Sequence, residues 1–252
     1  MEENLVSPWI ASILLLGLRV APSFAFAPPF TSVPLPRLCR LLFGFGLTMG
    51  ILGTRPSALV SHSDLAWLVP AAARELGLGI LFVLLFHLLY GALHVAGRTI
   101  DIQAGFGLAL LIDPATRAQT PLVGTLFALA TTALFFAIDG HLALLRLMAT
   151  SLDAVPIGLW SISPHPDHLL SFIAIEASLA LGFAGAVILL LFLIDLAIAL
   201  LSRTVPQMNV LVFGFQAKTL ALLAGLPLLF ASGATLLLRM MAILFESIPS
   251  LL

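Results

Sequence analysis

The chain has 252 residues, of which 61% are hydrophobic and 9% are charged, whereas about a quarter of the residues in a soluble domain carry charge. This composition and a mean hydropathy of +1.16 predict an integral membrane protein and exclude an ordinary soluble domain. The net charge is −1, which leaves no basic surface for nucleic acid, so no nucleic-acid partner is expected.

Apolar runs of about 20 residues, the length that crosses a hydrocarbon core as a helix, recur along the chain. They predict an all-α, polytopic membrane protein with five or six spans and a single membrane domain over residues 1–252. Short polar stretches separate them, near 54–75, 98–121, 151–168 and 202–218. The apolar runs cover residues 9–30, 38–53, 76–97, 122–145, 169–201 and 219–245.

The first two runs carry signs of irregular or close packing. The first follows the acidic segment MEEN, whereas a signal peptide begins with positive charge, so we expect the run to be retained. Pro22 and Pro28 interrupt it and predict a kinked or partly unwound helix, because proline removes a backbone donor. In the second run, the spacing of Gly46 and Gly50 favours close packing on another helix. The single cysteine, Cys39, is expected to be a small buried hydrophobe.

Ionisable side chains lie inside or beside these runs. At mid-membrane a charge costs at least about 2.5–3.5 kcal/mol, so we expect these groups to face protein or water. A small bundle has little interior to hold them, which favours a subunit of a larger assembly. A polytopic secondary transporter with buried charges is the alternative, although no internal repeat is visible. The residues are Arg19, Asp139, His141, Arg146, Glu176 and Asp195.

The sequence lacks the motif of an active site, and neither an enzyme nor a cofactor is predicted. The segment GFGLAL, which begins at Gly105, is not part of a strand–turn–helix unit and does not predict a phosphate site. Asp139 and His141 are two residues apart and point in different directions on a helix, so a metal site is not expected. A pair of catalytic aspartates, Asp139 and Asp195, is an alternative, but ion pairing or hydrogen bonding with a residue such as Arg146 is favoured.

Four separated stretches follow one another along nearly the whole chain: LRVAPSFAFAPPFTSVPLPR, GRTIDIQAGFGLALLIDP, LFFAIDGHLALLRLMATSLDAVPIG and SRTVPQMNVLVFGFQAK. Together and in this order, they resemble the FliR family of type III export-gate membrane proteins. The Asp-Gly-His segment at 139–141 is closer to the flagellar branch than to the injectisome branch. Three positions depart from the family pattern and concern local details: Leu142, Leu211 and Gln216.

The resemblance implies a non-enzymatic core subunit of the flagellar export gate, located in the bacterial inner membrane at the flagellar basal body. It implies helical hairpins with broken helices, in which a FliP-like portion precedes a FliQ-like portion. The expected partners are FliP and FliQ, then FlhB and FlhA, membrane lipid, and unfolded flagellar proteins as substrates. Arg203, Gln207 and Lys218 of the fourth stretch join the charged residues above as expected buried or assembly positions.

The resemblance also assigns the segment around 105–121 to a loop that closes the pore. Gly105 and Gly107 allow tight backbone angles and close approach of neighbouring chains. Apolar bulk in a constriction excludes water, and this segment supplies it with Phe106, Leu108, Leu110, Leu111 and Ile112. A helix-connecting loop packed for structure alone is the alternative. The residues expected to anchor the loop ends by hydrogen bonds are Asp101, Gln103, Asp113, Arg117 and Gln119.

Overall fold

The chain is all-helical in a computed structural model that describes residues 7–60, 64–106, 121–161, 166–205, 207 and 209–251. No strand occurs in these ranges, and the predicted all-α class is confirmed. The helices are α1 at Pro8–Phe26, α2 at Pro28–Thr31, α3 at Arg37–Thr54, α4 at Leu65–Ala104, α5 at Leu122–Ala137, α6 at Gly140–Ala154, α7 at Pro166–Thr204 and α8 at Val210–Leu251, with a 3₁₀ turn at Pro56–Ala58.

Four helices of the described residues are long and apolar enough to cross a membrane: α1, α4, α7 and α8. Helices α5 and α6 form a pair bent by 69° and add a fifth span if the pair is counted as one. The described residues therefore provide four or five spans, against the five or six that were predicted. The chain is a multi-pass membrane protein by the length and composition of its helices.

The helices extend beyond the apolar runs into the stretches predicted to be polar loops. Helix α4 has 40 residues and continues through Asp101 and Gln103 to Ala104, so residues 98–104 are helical. It ends where Gly105 adopts a φ of +89°, a conformation that glycine reaches without strain. The loop prediction was wrong here because these polar side chains find partners inside the protein.

The prolines of the first run break it at one place. Pro22 lies within α1, and the backbone leaves the helix only at Ala27, which is extended at φ −67° and ψ 139°. A residue that precedes proline is disfavoured in the helical region, and Pro28 then begins α2 at a position where no backbone donor is needed. The predicted irregularity is present as a break between α1 and α2.

The described chain forms two compact units. The first comprises Met1–Leu88, Thr132–Phe172 and Ala242–Leu252, and the second comprises Leu89–Thr131 and Ile173–Met241. In the first unit, Phe135 is fully buried, and its ring centroid lies 5.9 Å from those of Phe30 and Phe86. In the second unit, the ring centroid of Phe127 lies 4.8 Å from that of Phe183 and 5.8 Å from that of Phe230. Edge-on aromatic contacts therefore occupy the core of each unit.

Helix α3 packs closely on α1, but through a different glycine from those predicted. A methyl group at Gly44 would come within 2.6 Å of the Cα atom of Ala21, so the two backbones are in contact there. Gly46 and Gly50 have no such neighbour among the described residues, because they lie two and six residues from Gly44 and point to other sides of the helix. The prediction for Cys39 was also wrong, since it is exposed.

Candidate functional site

Helices α4 and α5 come into backbone contact in the second unit, on either side of the 105–121 segment. A methyl group at Gly97 would lie 2.3 Å from the backbone of Gly124, and a methyl group at Gly124 would lie 3.1 Å from the carbonyl oxygen of His94. Side chains other than hydrogen do not fit between the two helices at this point. The two glycines therefore permit a tight helical contact.

Asp101 ties the end of α4 to the start of α5. Its buried carboxylate accepts a hydrogen bond from the Val123 N–H, with oxygen–nitrogen distances of 3.2 and 3.3 Å. Val123 lies in the first turn of α5, where backbone N–H groups have no partner within their own helix. A carboxylate is also favoured there by the helix dipole. The hydrogen bond between Asp101 and Val123 thus joins the two parts of the chain that flank the 105–121 segment.

Gln103, Asp195 and Lys218 form a polar cluster that joins α4 to α7 and α8. The ammonium of Lys218 lies 2.5 Å from one Asp195 carboxylate oxygen, and the Gln103 amide donates to the other at 2.9 Å. Lys218 also donates to the backbone carbonyl of Gln103 at 3.0 Å. Each member therefore contacts both others, and charged hydrogen bonds of this kind are stronger than neutral ones.

Phe215 of α8 packs against the first residues of the 105–121 segment. A methyl group at Gly105 would lie 3.4 Å from the Phe215 ring, and the Phe106 ring is edge-on to it at a centroid distance of 6.3 Å. A cavity of about 270 Å³ opens beside these residues, and Asp195 and Lys218 line one side of it. Apolar and polar contacts thus hold the start of the segment on the second unit.

The remaining predicted residues of the segment lie outside the described part of the chain. Their expected roles as an apolar stopper and as anchors stay predictions. These residues are Gly107, Leu108, Leu110, Leu111, Ile112, Asp113, Arg117 and Gln119.

The residues expected to face protein or water differ in exposure. Arg19 and Glu176 are buried, and His141, Asp195 and Lys218 are half-buried. The pairing considered for Asp139 is not found among the described residues; it lies at the bend between α5 and α6 with a φ of +57°. No group of three or more metal-ligating side chains occurs in the part of the chain that the structure describes. The positions exposed on this chain are Asp139, Arg146, Arg203 and Gln207.

Arg19 is the centre of a buried polar network in the first unit. Its guanidinium is fully buried and donates two hydrogen bonds to the Glu75 carboxylate, at 2.6 and 2.9 Å. It donates further bonds to the Ser151 hydroxyl at 3.1 Å and to the Val155 carbonyl, at 3.0 Å from each of two nitrogens. All three guanidinium nitrogens therefore donate to acceptors outside α1, and the Glu75 carboxylate neutralises the charge inside the unit.

Sequence reasoning missed Glu75, although Arg19 itself was a signal for it. Glu75 stands one residue before the apolar run at 76–97, in a stretch predicted to be a polar loop. A guanidinium within an apolar helix requires an acidic partner, and Glu75 is fully buried on α4. It also accepts a bond of 2.7 Å from the Gly158 N–H, while Arg74 donates to the Gly158 carbonyl at 2.9 Å. The network thereby fixes the segment that follows α6.

An exposed ion pair lies near this network in the first unit. Arg55 and Asp153 are hydrogen-bonded, and the bond to the Asp153 carboxylate raises the pKa of the Arg55 guanidinium. They border a groove of about 470 Å³ that includes Trp67, Pro156 and Leu159. Because both charges contact solvent, the pair contributes much less to stability than the buried pair does.

These features define a polytopic α-helical membrane protein in which polar residues hold helices together. Its helices are long and apolar, α4 and α5 are in tight contact, and buried ionisable groups such as Arg19 and Glu75 bond to partners on other helices. Residues 10–244 match the model of bacterial export proteins, family 1, and the chain belongs to that family. The resemblance to the FliR family is thereby confirmed.

Relatives from three organisms are similar to this chain over most of its length and of their own. The chain is 28% identical over 221 residues to flagellar biosynthetic protein FliR of Bacillus subtilis, a match that covers 85% of this chain and 84% of the relative. It is 28% identical over 235 residues to FliR of Aquifex aeolicus, covering 91% and 90%. It is also 27% identical over 222 residues to surface presentation of antigens protein SpaR of Shigella flexneri, covering 85% and 86%.

Proposed function

We propose that this chain is a non-enzymatic core subunit of the flagellar type III protein export gate. In this proposal it assembles with FliP-like and FliQ-like subunits into a channel through which unfolded flagellar proteins cross the inner membrane. Membership of the bacterial export proteins and similarity to FliR over most of both chains support an export component. Several of its polar residues are exposed on the single chain, which also supports an assembly in which other subunits contact them.

The proposal assigns closure of the pore to the 105–121 segment. The observation that carries this assignment is the bond from Val123 to Asp101, because it fixes the two flanks of the segment to each other. Gln103 and Phe106 extend the fixed region to α7 and α8. A rigid base of this kind allows an apolar stopper to return to the same place after each substrate has passed.

Deletion of residues 105–109 tests the assignment. The variant is produced with FliP and FliQ in cells that lack their own FliR, and influx of a small membrane-impermeant dye is measured. We expect a higher influx than with the intact chain, since the deletion removes the start of the stopper. Co-purification of FliP and FliQ with the variant verifies that the gate has assembled. An assembled variant with the influx of the intact chain would contradict the plug assignment.

The partners are tested separately by purification in mild detergent. The tagged full chain should bring FliP-like and FliQ-like subunits with it, and crosslinking in membranes should add FlhB-like and FlhA-like subunits. A secondary transporter would instead be recovered without these subunits and would transport a solute after reconstitution. Recovery as a stable monomer would therefore count against the export-gate proposal, and isolation with intact basal bodies would support the proposed location.

A further inference from the structure

Glu176 is a buried carboxyl group in α7 for which the described residues provide no partner. The residue is 1% exposed, and neither carboxyl oxygen has a hydrogen-bond donor within reach among them. An isolated ionised carboxylate is very costly in an apolar interior, even after relaxation of its surroundings. Glu176 therefore requires a different explanation from a simple ion pair.

The other buried or half-buried carboxylates described above are all partnered. Glu75 binds the Arg19 guanidinium, Asp101 accepts from the Val123 N–H, and Asp195 binds Lys218. Asp195 is on the same helix as Glu176, so one of the two carboxyl groups that α7 holds away from full exposure is compensated and the other is not; the third, Asp167, is exposed. Each of the three partnered carboxylates thus has a cation or a hydrogen-bond donor beside it, and Glu176 has neither among the described residues.

The surroundings of Glu176 are apolar. It lies in a stripe on α7 that continues at helical spacing through Ala180, Phe183, Val187 and Leu191, all of which are buried. At Phe183 this stripe packs against α5 and against α8, where Gly233 leaves room for the ring. The stripe thus faces the core of the second unit.

The cations on the facing helices are occupied or directed elsewhere. The part of α5 in this unit, residues 122–131, carries no charged residue. The part of α4 in this unit carries Arg98, which is exposed, and His94, whose Nδ1 lies 3.3 Å from the Tyr90 carbonyl oxygen. The part of α8 in this unit carries Lys218, which binds Asp195, and Arg239, which is exposed. Neither forms an ion pair with Glu176 in the described structure, so the charge of an ionised carboxylate would have no compensation there.

From this geometry we propose that Glu176 is a proton-binding site whose carboxyl group is a neutral carboxylic acid at neutral pH. Protonation removes the charge that the apolar stripe cannot stabilise, while the side chain keeps its shape and packing. The inference concerns the folded second unit and does not depend on the proposed role in export.

Infrared difference spectroscopy tests the protonation directly. The full chain, with the subunits that co-purify with it, is compared with the Glu176→Gln variant in lipid nanodiscs at neutral pH. We expect the carbonyl stretch of a protonated carboxylic acid in the intact chain and its loss in the variant. Asp195→Asn is the matched control on the same helix and should remove no such band, because Asp195 is paired with Lys218. Loss of carboxylate bands alone in Glu176→Gln would overturn the proposal.

A second measurement needs no variant and decides the question if Glu176→Gln fails to fold. Dicyclohexylcarbodiimide reacts with protonated carboxylic acids in apolar surroundings. The acid O–H adds across one N=C bond, and the O-acylisourea rearranges to a stable N-acylurea without loss of any atom. Mass spectrometry of the labelled full chain should locate the adduct on Glu176 and not on Asp195. Absence of the adduct from Glu176 would then overturn the proposal.

Discussion

Replacement of Glu75 by glutamine should strongly destabilise the first unit. The substitution keeps the size of the side chain and removes its charge, so the fully buried Arg19 loses the carboxylate that receives two of its hydrogen bonds. Ser151 and the Val155 carbonyl remain as partners, but both are neutral. The variant therefore contains a positive charge in the interior without a negative one to compensate it.

The magnitude follows from measured effects of breaking buried ion pairs. Removal of one partner costs about 3–5 kcal/mol, a large fraction of the roughly 5–15 kcal/mol that stabilises a typical domain. Arg19→Met should cost a similar amount because it strands the Glu75 carboxylate. Since the two side chains act as one unit, the double variant should cost about 3 kcal/mol less than the sum of the single variants.

Equilibrium unfolding of the full chain in mixed detergent micelles measures these differences. The fluorescence of Trp160, which is buried in the same unit, provides the signal. Asp153→Asn is the control, because it breaks the exposed pair with Arg55 and should change the free energy of unfolding little. If Glu75→Gln resembled this control, or if its effect and that of Arg19→Met were additive, the argument for a compensated buried pair would be refuted.

Three further predictions concern the second unit and use the same unfolding assay. Gly97→Ala should cost about 1–3 kcal/mol of unfolding free energy, because its methyl group would overpack against the facing helix. Gly91→Ala on the same helix is the control and should be neutral or stabilising, because its methyl group would meet open space. Equal effects of the two substitutions would contradict the close contact. Asp101→Asn should cost about 0.5–2 kcal/mol by weakening the cap on α5 and should raise dye influx, and an unchanged free energy would exclude the cap. Lys218→Met and Asp195→Asn should show a coupling energy of about 0.5–3 kcal/mol, and strict additivity would show that their ion pair contributes nothing.

Apolar runs predict the existence of the long helices but not their ends. Helix α4 begins before its run and continues past it because Glu75 and Asp101 obtain partners from other elements. A polar side chain in a membrane sequence is therefore ambiguous: it marks a loop if water satisfies it and a helix if the fold does. Only the tertiary contacts distinguish the two cases.

The contacts between helices were harder to predict than the helices. Close packing of α3 was expected at Gly46 and Gly50, but it occurs at Gly44, since the rotation of a helix about its axis depends on its neighbours. The contact between Gly97 and Gly124 was not predicted, because spacing within one helix does not identify the opposite residue. Family membership, by contrast, was accessible from ordered motifs, which require no geometry.

The lengths of α4, α7 and α8 have a consequence for the membrane that contains them. They have 40, 39 and 42 residues, which at about 1.5 Å per residue correspond to roughly 60 Å of helix each. Even at a tilt of about 40°, such a helix rises about 45 Å, while the hydrocarbon core is about 30 Å thick. A straight helix of this length would therefore place about a third of its residues beyond the lipid tails. The exposed leucines Leu211, Leu220 and Leu228 of α8 span about 26 Å of helix, so the hydrocarbon core is thick enough to cover this part of its apolar surface, whereas the rest of so long a helix needs water or protein around it.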